Sequence, residues 1–65
     1  MKVKYDPEAD VLSIELSDEP VEDSDESKPG IIQDYGMSGN VVGIEVLDAS
    51  TRMTNPRSVE YALEA

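Results

Sequence analysis

Apolar and polar residues alternate along two short stretches near the start of the chain. In residues 2–5, Val3 and Tyr5 share one face, and in residues 11–17 the shared face holds Leu12, Ile14 and Leu16. A period of two is typical of strands with one buried face. The intervening residues 6–10 contain Pro7 and have the length of a hairpin loop. The pattern therefore predicts an antiparallel hairpin, in which the Asp6 side chain holds the turn.

Residues 18–30 break this pattern. Val21 is their only aliphatic residue, and they include Pro20 and Pro29. Such a segment cannot bury enough apolar surface to form a core strand. It is predicted to be a weakly structured, solvated excursion that adds an edge strand around Val21.

The second half of the chain resumes the alternation. Residues 31–35 and 41–47 are predicted strands joined by a glycine-rich turn at 36–40, and residues 41–47 are apolar on both faces. Gly43 within the second strand marks a bulge or a close approach of another group. Residues 48–53 are predicted to form one or two helical turns, with Asp48 as the N-cap and Asn55-Pro56 ending them.

The C-terminal residues 58–64 have two interpretations. Val59, Tyr61 and Leu63 alternate strictly with polar or small residues, which favours a strand, whereas Val59, Ala62 and Leu63 also fit a helical stripe. Together the elements predict a single α+β, mainly β domain over residues 1–65. Its core would be an antiparallel sheet of four to five strands with one short helix near residues 48–53. A second apolar sheet face would favour a partner, either another copy of the chain in a homo-oligomer or another protein.

The net charge of the chain says more about its partners than the rest of its composition does. The chain has 15 acidic and five basic residues, for a net charge of −10. This balance argues against nucleic acid and anionic membranes as direct ligands, because both need Lys and Arg on the protein. It suits a small basic protein partner, although solubility alone also explains it. No apolar segment has the length of a secretory core or a membrane span, so the expected location is the cytoplasm.

The chain contains no His and no Cys. Histidine-activated nucleophiles, imidazole or thiolate metal sites and disulfides are therefore excluded. Three groups of side chains remain candidates for chemistry. They are the Tyr residues 5, 35 and 61, expected in the core with hydrated hydroxyls; the acids of the first turn (Asp6, Glu8, Asp10); and the acids of the second half (Asp34, Glu45, Asp48).

The acidic candidates each have a structural alternative. Asp6 and Asp10 are typical turn residues, and their spacing with Glu8 is too loose for a dedicated cation loop. Asp34 and Glu45 lie on neighbouring predicted strands, so they could share a proton or a metal. No lysine lies nearby in the sequence, however, which argues against a nuclease-like site. The structural alternative is that Glu45 faces solvent and Asp48 caps the helix. We therefore expect no catalytic residue, no metal site and no cofactor.

Three segments together resemble a known family. They are residues 5–12 (YDPEADVL), Ile32-x-Asp34-Tyr35 and residues 39–50 (GNVVGIEVLDAS). They are similar to the small prokaryotic family catalogued as domain of unknown function 2283. The resemblance implies a short bacterial or archaeal protein, and some members are proposed as antitoxins encoded beside small ribonuclease-like toxins. This chain departs from the family at Ser13, where members often carry a large residue, and in its turn at 36–39, which is often rich in Asp.

The resemblance gives the acidic middle of the chain a possible role. Seven acids and no base lie between Glu15 and Glu26. Such a run is either a solvated loop or a docking strip for a basic surface. We expect a non-enzymatic interaction module, an antitoxin that occupies the basic cleft of a ribonuclease-like partner. The alternative is a self-assembling structural domain, a homodimer or larger. The partner-binding candidates are Asp18, Glu19, Glu22, Asp23, Asp25 and Glu26.

Overall fold

The computed structural model describes all of residues 1–65 and contains one sheet and one helix. The elements are β1 (Lys2–Asp6), β2 (Val11–Glu15), β3 (Asp23–Lys28), β4 (Ile31–Tyr35), β5 (Val41–Leu47) and α1 (Ala49–Arg52). The strand order is β1-β2-β5-β4-β3, and every neighbouring pair is antiparallel. The predicted α+β, mainly β fold is confirmed.

The first hairpin forms as the alternation predicts. Val3 pairs with Ile14 and Tyr5 with Leu12, so the apolar side chains of both strands share a face. Asp6 Oδ1 accepts hydrogen bonds from the backbone N–H groups of Glu8 (3.0 Å) and Ala9 (3.2 Å). This side chain therefore holds the turn in place of a backbone acceptor.

The excursion over residues 18–30 includes an edge strand at Asp23–Lys28 rather than around Val21. Val21 lies before the strand and is exposed. All six residues of β3 are exposed, and the strand is held by its pairing with β4. Pro29-Gly30 forms the tight connection, with Gly30 at φ 81°. Pro followed by a positive-φ Gly is the signature of a type II turn, which brings β3 back onto β4.

β5 lies at the centre of the sheet, between β2 and β4. Leu12 pairs with Val46 across β2–β5, and Ile31 pairs with Val46 across β4–β5. A register shift near Tyr35 and Val41 gives the irregularity that Gly43 suggested. A Cβ on Gly43 would lie 3.1 Å from Asp34 Oδ2 and 3.3 Å from the Ile14 carbonyl oxygen, so the close approach is also confirmed.

The core lies on one side of the sheet, which we call the helix face. Leu12, Val46 and Ala49 are buried there, and Val3, Tyr5, Ile14, Ile31, Ile44 and Met53 pack around them half-buried. No large side chain of the chain is fully buried. The domain is therefore a single sheet layer with a thin cover.

The cover is the four-residue α1, which begins differently from the prediction. Asp48 stands at the N-cap position but has a left-handed backbone (φ 53°), and its side chain makes no cap hydrogen bond. Asp10, brought in by the first hairpin, takes that role instead: its carbonyl oxygen accepts from Ala49 N–H (3.0 Å) and its Oδ1 from Ser50 N–H (2.9 Å). No helix in the structure is long and apolar enough to cross a membrane.

The predicted strand over residues 58–64 does not form, and neither does the alternative helix. The chain after Met53 has no regular secondary structure, and Ser58 N–H to Asn55 O is the last backbone hydrogen bond. Tyr61, predicted to be a core residue, is 76% exposed. The alternation of apolar and polar residues was not enough to form a strand here, because no strand of this chain pairs with the segment.

Candidate functional site

The sheet side opposite the helix face carries a polar groove of about 460 Å³. Its floor includes Ser13, Gly43 and Glu45, and the connection between β2 and β3 forms one wall. This connection must cross β5 and β4 to reach the sheet edge, because β3 lies at the far side of the strand order. The topology therefore encloses polar side chains that are far apart in the sequence.

Asp34 and Glu45 meet in this groove, as their predicted strands indicated. Asp34 is buried, and its Oδ1 accepts a hydrogen bond from Ser24 Oγ at 2.7 Å. A hydrogen bond to Asp34 raises the pKa of Glu45, and burial and repulsion by Asp34 add to the rise. Both carboxyls therefore lie close enough for one to disfavour ionisation of the other. Glu45 is half-buried, so the expectation that it faces solvent was wrong.

A lysine does lie on the groove side, contrary to the expectation from the sequence. Lys4 of β1 pairs with Ser13, and Ser13 pairs with Glu45, so the three residues form one row across the sheet. Lys4 Nζ lies 3.7 Å from Glu15 Oε1. Asp48 does not line the groove. The groove therefore holds two neighbouring carboxyl groups and an ammonium group two strands away.

Two acids of the first turn, Asp6 and Asp10, are engaged in holding the fold, whereas Glu8 is exposed. Asp10 Oδ1 accepts from Tyr5 Oη (2.7 Å) as well as from Ser50 N–H, and its Oδ2 accepts from Ser50 Oγ (2.6 Å). These hydrogen bonds from Ser50 and Tyr5 lower the pKa of Asp10. Tyr35 Oη likewise donates to Gln33 Oε1 at 2.8 Å. The hydroxyls of Tyr5 and Tyr35 thus bond to protein groups rather than to water alone, and both residues are half-buried, with only Tyr5 packed against the core.

The six predicted partner-binding acids divide into two kinds. Glu19 is half-buried, and its carboxylate accepts from both Ser38 N–H and Ser38 Oγ at 2.9 Å, which lowers its pKa. It anchors the β2–β3 connection to the turn before β5. The other five are exposed: Asp18, Glu22, Asp23, Asp25 and Glu26.

The five exposed acids, which we call the acidic edge, line the connection and β3. Two of them make local hydrogen bonds, since Asp23 Oδ1 accepts from Ser24 N–H (2.9 Å) and Glu26 Oε2 accepts from Gly30 N–H (2.8 Å). Lys4–Glu15 is the one ion pair in the structure. None of the five acids forms an ion pair, and the one base on the same strand is Lys28 at its end.

Several contacts in and around the groove were not predicted from the sequence. Ser24 and Asp34 meet only because β3 pairs with β4, and Lys4 reaches the groove side only because β1 lies two strands from β5. Asp10 reaches Ser50 across 40 residues. Pro29-Gly30 was the one available signal, because a type II turn after residue 28 predicts a returning strand.

Most of the chain, including the candidate site, matches a known family. The family model described as "Protein of unknown function (DUF2283)" matches residues 2–50. The chain belongs to this family. Searches of curated proteins and of solved structures gave no match. The DUF2283 match extends from β1 to Ser50, so it includes the carboxyl pair, the acidic edge and both partners of the Asp10–Ser50 contact. Residues 51–65 lie outside it.

Proposed function

We propose that this protein is a non-enzymatic interaction module that binds a small basic protein through the acidic edge. The most specific form of the proposal is an antitoxin that occupies the cleft of a ribonuclease-like toxin. The observation that carries it is the exposed run of acids along one sheet edge, none of which forms an ion pair within the chain. A ribonuclease cleft must be basic, because it holds phosphates.

The fixed backbone of the acidic edge supports a role in binding. Three of its five acids, Asp23, Asp25 and Glu26, belong to β3, whose pairing with β4 fixes the backbone. A preformed strand presents its charges without the entropy cost of ordering a flexible loop on binding. Glu19 contributes by fixing the connection that carries Asp18 and Glu22.

The net charge supports rapid and salt-sensitive association. A chain with charge −10 attracts a basic protein over a distance of about one Debye length, about 8–10 Å at physiological salt. Complementary charges mainly raise the association rate and exclude wrong partners. The same charge makes DNA and RNA unfavourable ligands, so we expect no mobility shift of nucleic acid by the protein alone.

The lack of a catalytic role is part of the proposal. Without His or Cys, the chain has no imidazole to activate a serine and no thiolate to attack at neutral pH. The carboxyl pair already has a structural role, since Asp34 joins β3 to β4 through Ser24 and lies against Gly43 of β5.

The experiment begins with capture of the partner from the native host by tagged full-length protein and identification by mass. The captured basic protein is then purified, and its ribonuclease activity is titrated with this protein. We expect complete inhibition at a defined stoichiometry. Glu22→Lys should slow association about tenfold at low salt, whereas Glu8→Lys is the matched control because it makes the same charge change on an exposed residue outside the acidic edge.

Two results would contradict the proposal. In the first, no basic protein is captured at stoichiometric yield. In the second, Glu22→Lys and Glu8→Lys slow association equally, so net charge rather than the acidic edge governs binding. Circular dichroism of both variants controls for loss of the fold.

A further inference from the structure

The C-terminal segment, residues 58–64, has the alternating sequence pattern of a strand but forms no strand and pairs with none. Val59, Tyr61 and Leu63 are 61%, 76% and 88% exposed, and they alternate with Ser58, Glu60, Ala62 and Glu64. From residue 59 onward the backbone makes no hydrogen bond within the chain. Exposed apolar residues in strict alternation, on a backbone with free donors and acceptors, are suited to join a sheet edge.

The two edges of the sheet differ in how well they could accept such a strand. β3 is protected, because it is rich in charge, has a register shift between Asp25 and Lys28, and is followed by Pro29. Irregularity, charge and proline all discourage strand addition. β1 is also followed by a proline, Pro7, but it has no bulge and pairs in unbroken register with β2 on its other side. β1 is therefore the edge open to another strand.

The patterns of β1 and the C-terminal segment are complementary on both faces. In an antiparallel alignment that places Tyr61 opposite Val3, Val59 lies opposite Tyr5 and extends the helix face. The same alignment places Glu60 opposite Lys4 on the other side of the sheet. Opposite charges and large apolar pairs across neighbouring strands both stabilise a sheet. Lys4 is available, since its side chain is 60% exposed despite its contact with Glu15.

The chain's own segment is positioned above β1 rather than beside it. The Arg57 guanidinium lies 5.8 Å from the centre of the Tyr5 ring, and Val59 shares a surface hollow with Val3 and Ile14. Both contacts are on the helix face. The hydrogen-bonding edge of β1 is left open for a different chain.

The chain exposes more surface than a compact monomer of its mass would. The monomer exposes 5016 Å². A compact monomer of this mass would expose about 4,100 Å², so the excess is about 900 Å² per copy. A standard specific interface buries about 800 Å² per partner. The excess is therefore similar in size to one side of a standard interface.

We propose that two copies of this chain form a symmetric dimer in which the C-terminal segment of each pairs with β1 of the other. Each sheet then gains a sixth strand, and the exchange is reciprocal, as two-fold symmetry requires. The acidic edge lies at the opposite side of each sheet and remains exposed in the dimer. This inference is independent of the proposed function.

Sedimentation velocity of the full-length protein over a range of concentrations tests the dimer. We expect twice the monomer mass. Lys4→Glu should weaken dimerisation about tenfold, because each dimer contains two such pairs and each becomes a repulsion. Glu60→Lys should do the same. The double variant Lys4→Glu/Glu60→Lys restores the opposite charges with exchanged signs and should recover most of the affinity.

Two further variants separate loss of the dimer from loss of the fold. Tyr61→Ser changes an exposed side chain outside all secondary structure, so the monomer fold should persist while dimerisation weakens at least tenfold. Glu8→Lys makes the same charge change as Glu60→Lys on an exposed residue away from the alignment and should leave the dimer unchanged. A monomer at every concentration would overturn the proposal. A dimer insensitive to Tyr61→Ser, or a charge exchange that fails to restore it, would also do so.

Discussion

Leu12→Ala tests whether the thin helix face carries the stability of the domain. Leu12 is 3% exposed and packs with Val46 and Ala49 at the centre of the core. Truncating a buried Leu removes transfer energy and leaves a cavity, at a cost of about 2–5 kcal/mol. The short α1 can settle into part of that space, so we expect the lower half of this range, about 2–3 kcal/mol. Typical stabilities per residue give a 65-residue domain about 3–10 kcal/mol in total.

Leu16→Ala is the matched control, since it makes the same truncation on a side chain that is 42% exposed. We expect it to cost no more than about 1 kcal/mol, because little apolar surface returns to water. Urea unfolding followed by far-ultraviolet circular dichroism gives both values, at one protein concentration because association would add stability. Equal costs for the two variants, or a cost below about 1 kcal/mol for Leu12→Ala, would refute the idea that this face holds the fold.

Two further predictions concern the carboxylates. The pKa of Glu45 is raised in the folded state, so its contribution to stability is present at low pH and is lost as the pH rises through that pKa. Glu45→Gln should therefore raise the urea midpoint at about pH 8 and reduce the difference between the midpoints at about pH 4 and about pH 8. If that difference in midpoint is unchanged, the proximity of Glu45 to Asp34 has no energetic effect. The pKa of Asp10 is lowered, so its contribution is present at neutral pH and is lost as the pH falls through that pKa. Asp10→Asn should lower Tm by about 5 °C at neutral pH, since the amide cannot accept all three bonds from Ser50 and Tyr5. Asp48→Asn is its control, because the Asp48 side chain caps nothing and Asn tolerates the left-handed backbone; similar losses in the two variants would contradict the role of Asp10.

The elements that were predictable from the sequence are those whose burial is one-sided or whose turns have specific chemistry. Residues 2–5, 11–17, 31–35 and 41–47 alternate because one face of each strand is covered, and Asp6 identifies its turn. β3 was placed too early because its residues are all exposed and carry no burial pattern. The C-terminal segment shows the opposite case, in which a clear alternation has no strand to pair with inside the chain.

The site was less predictable than the fold, because strand order determines it. The predicted hairpin allowed Asp34 and Glu45 to lie close together, since it places them on neighbouring strands. Lys4 and Ser24 belong to strands whose neighbours depend on the whole sheet, so no local pattern could place them. The Asp10–Ser50 contact likewise joins residues 40 apart, and the nearby Asp48 was the simpler cap to expect.

The strand order also has a consequence for how the chain folds. β1–β2 and β3–β4–β5 are each local units joined by short turns, whereas the central pair β2–β5 joins Val11 to Leu47. Closing that long loop costs entropy before the pairing is gained, so this step should limit the folding rate. A two-stranded hairpin alone is at best marginally stable. During synthesis, the first hairpin therefore has no stable partner until β5 has left the ribosome, and the domain should fold only once nearly the whole chain is available.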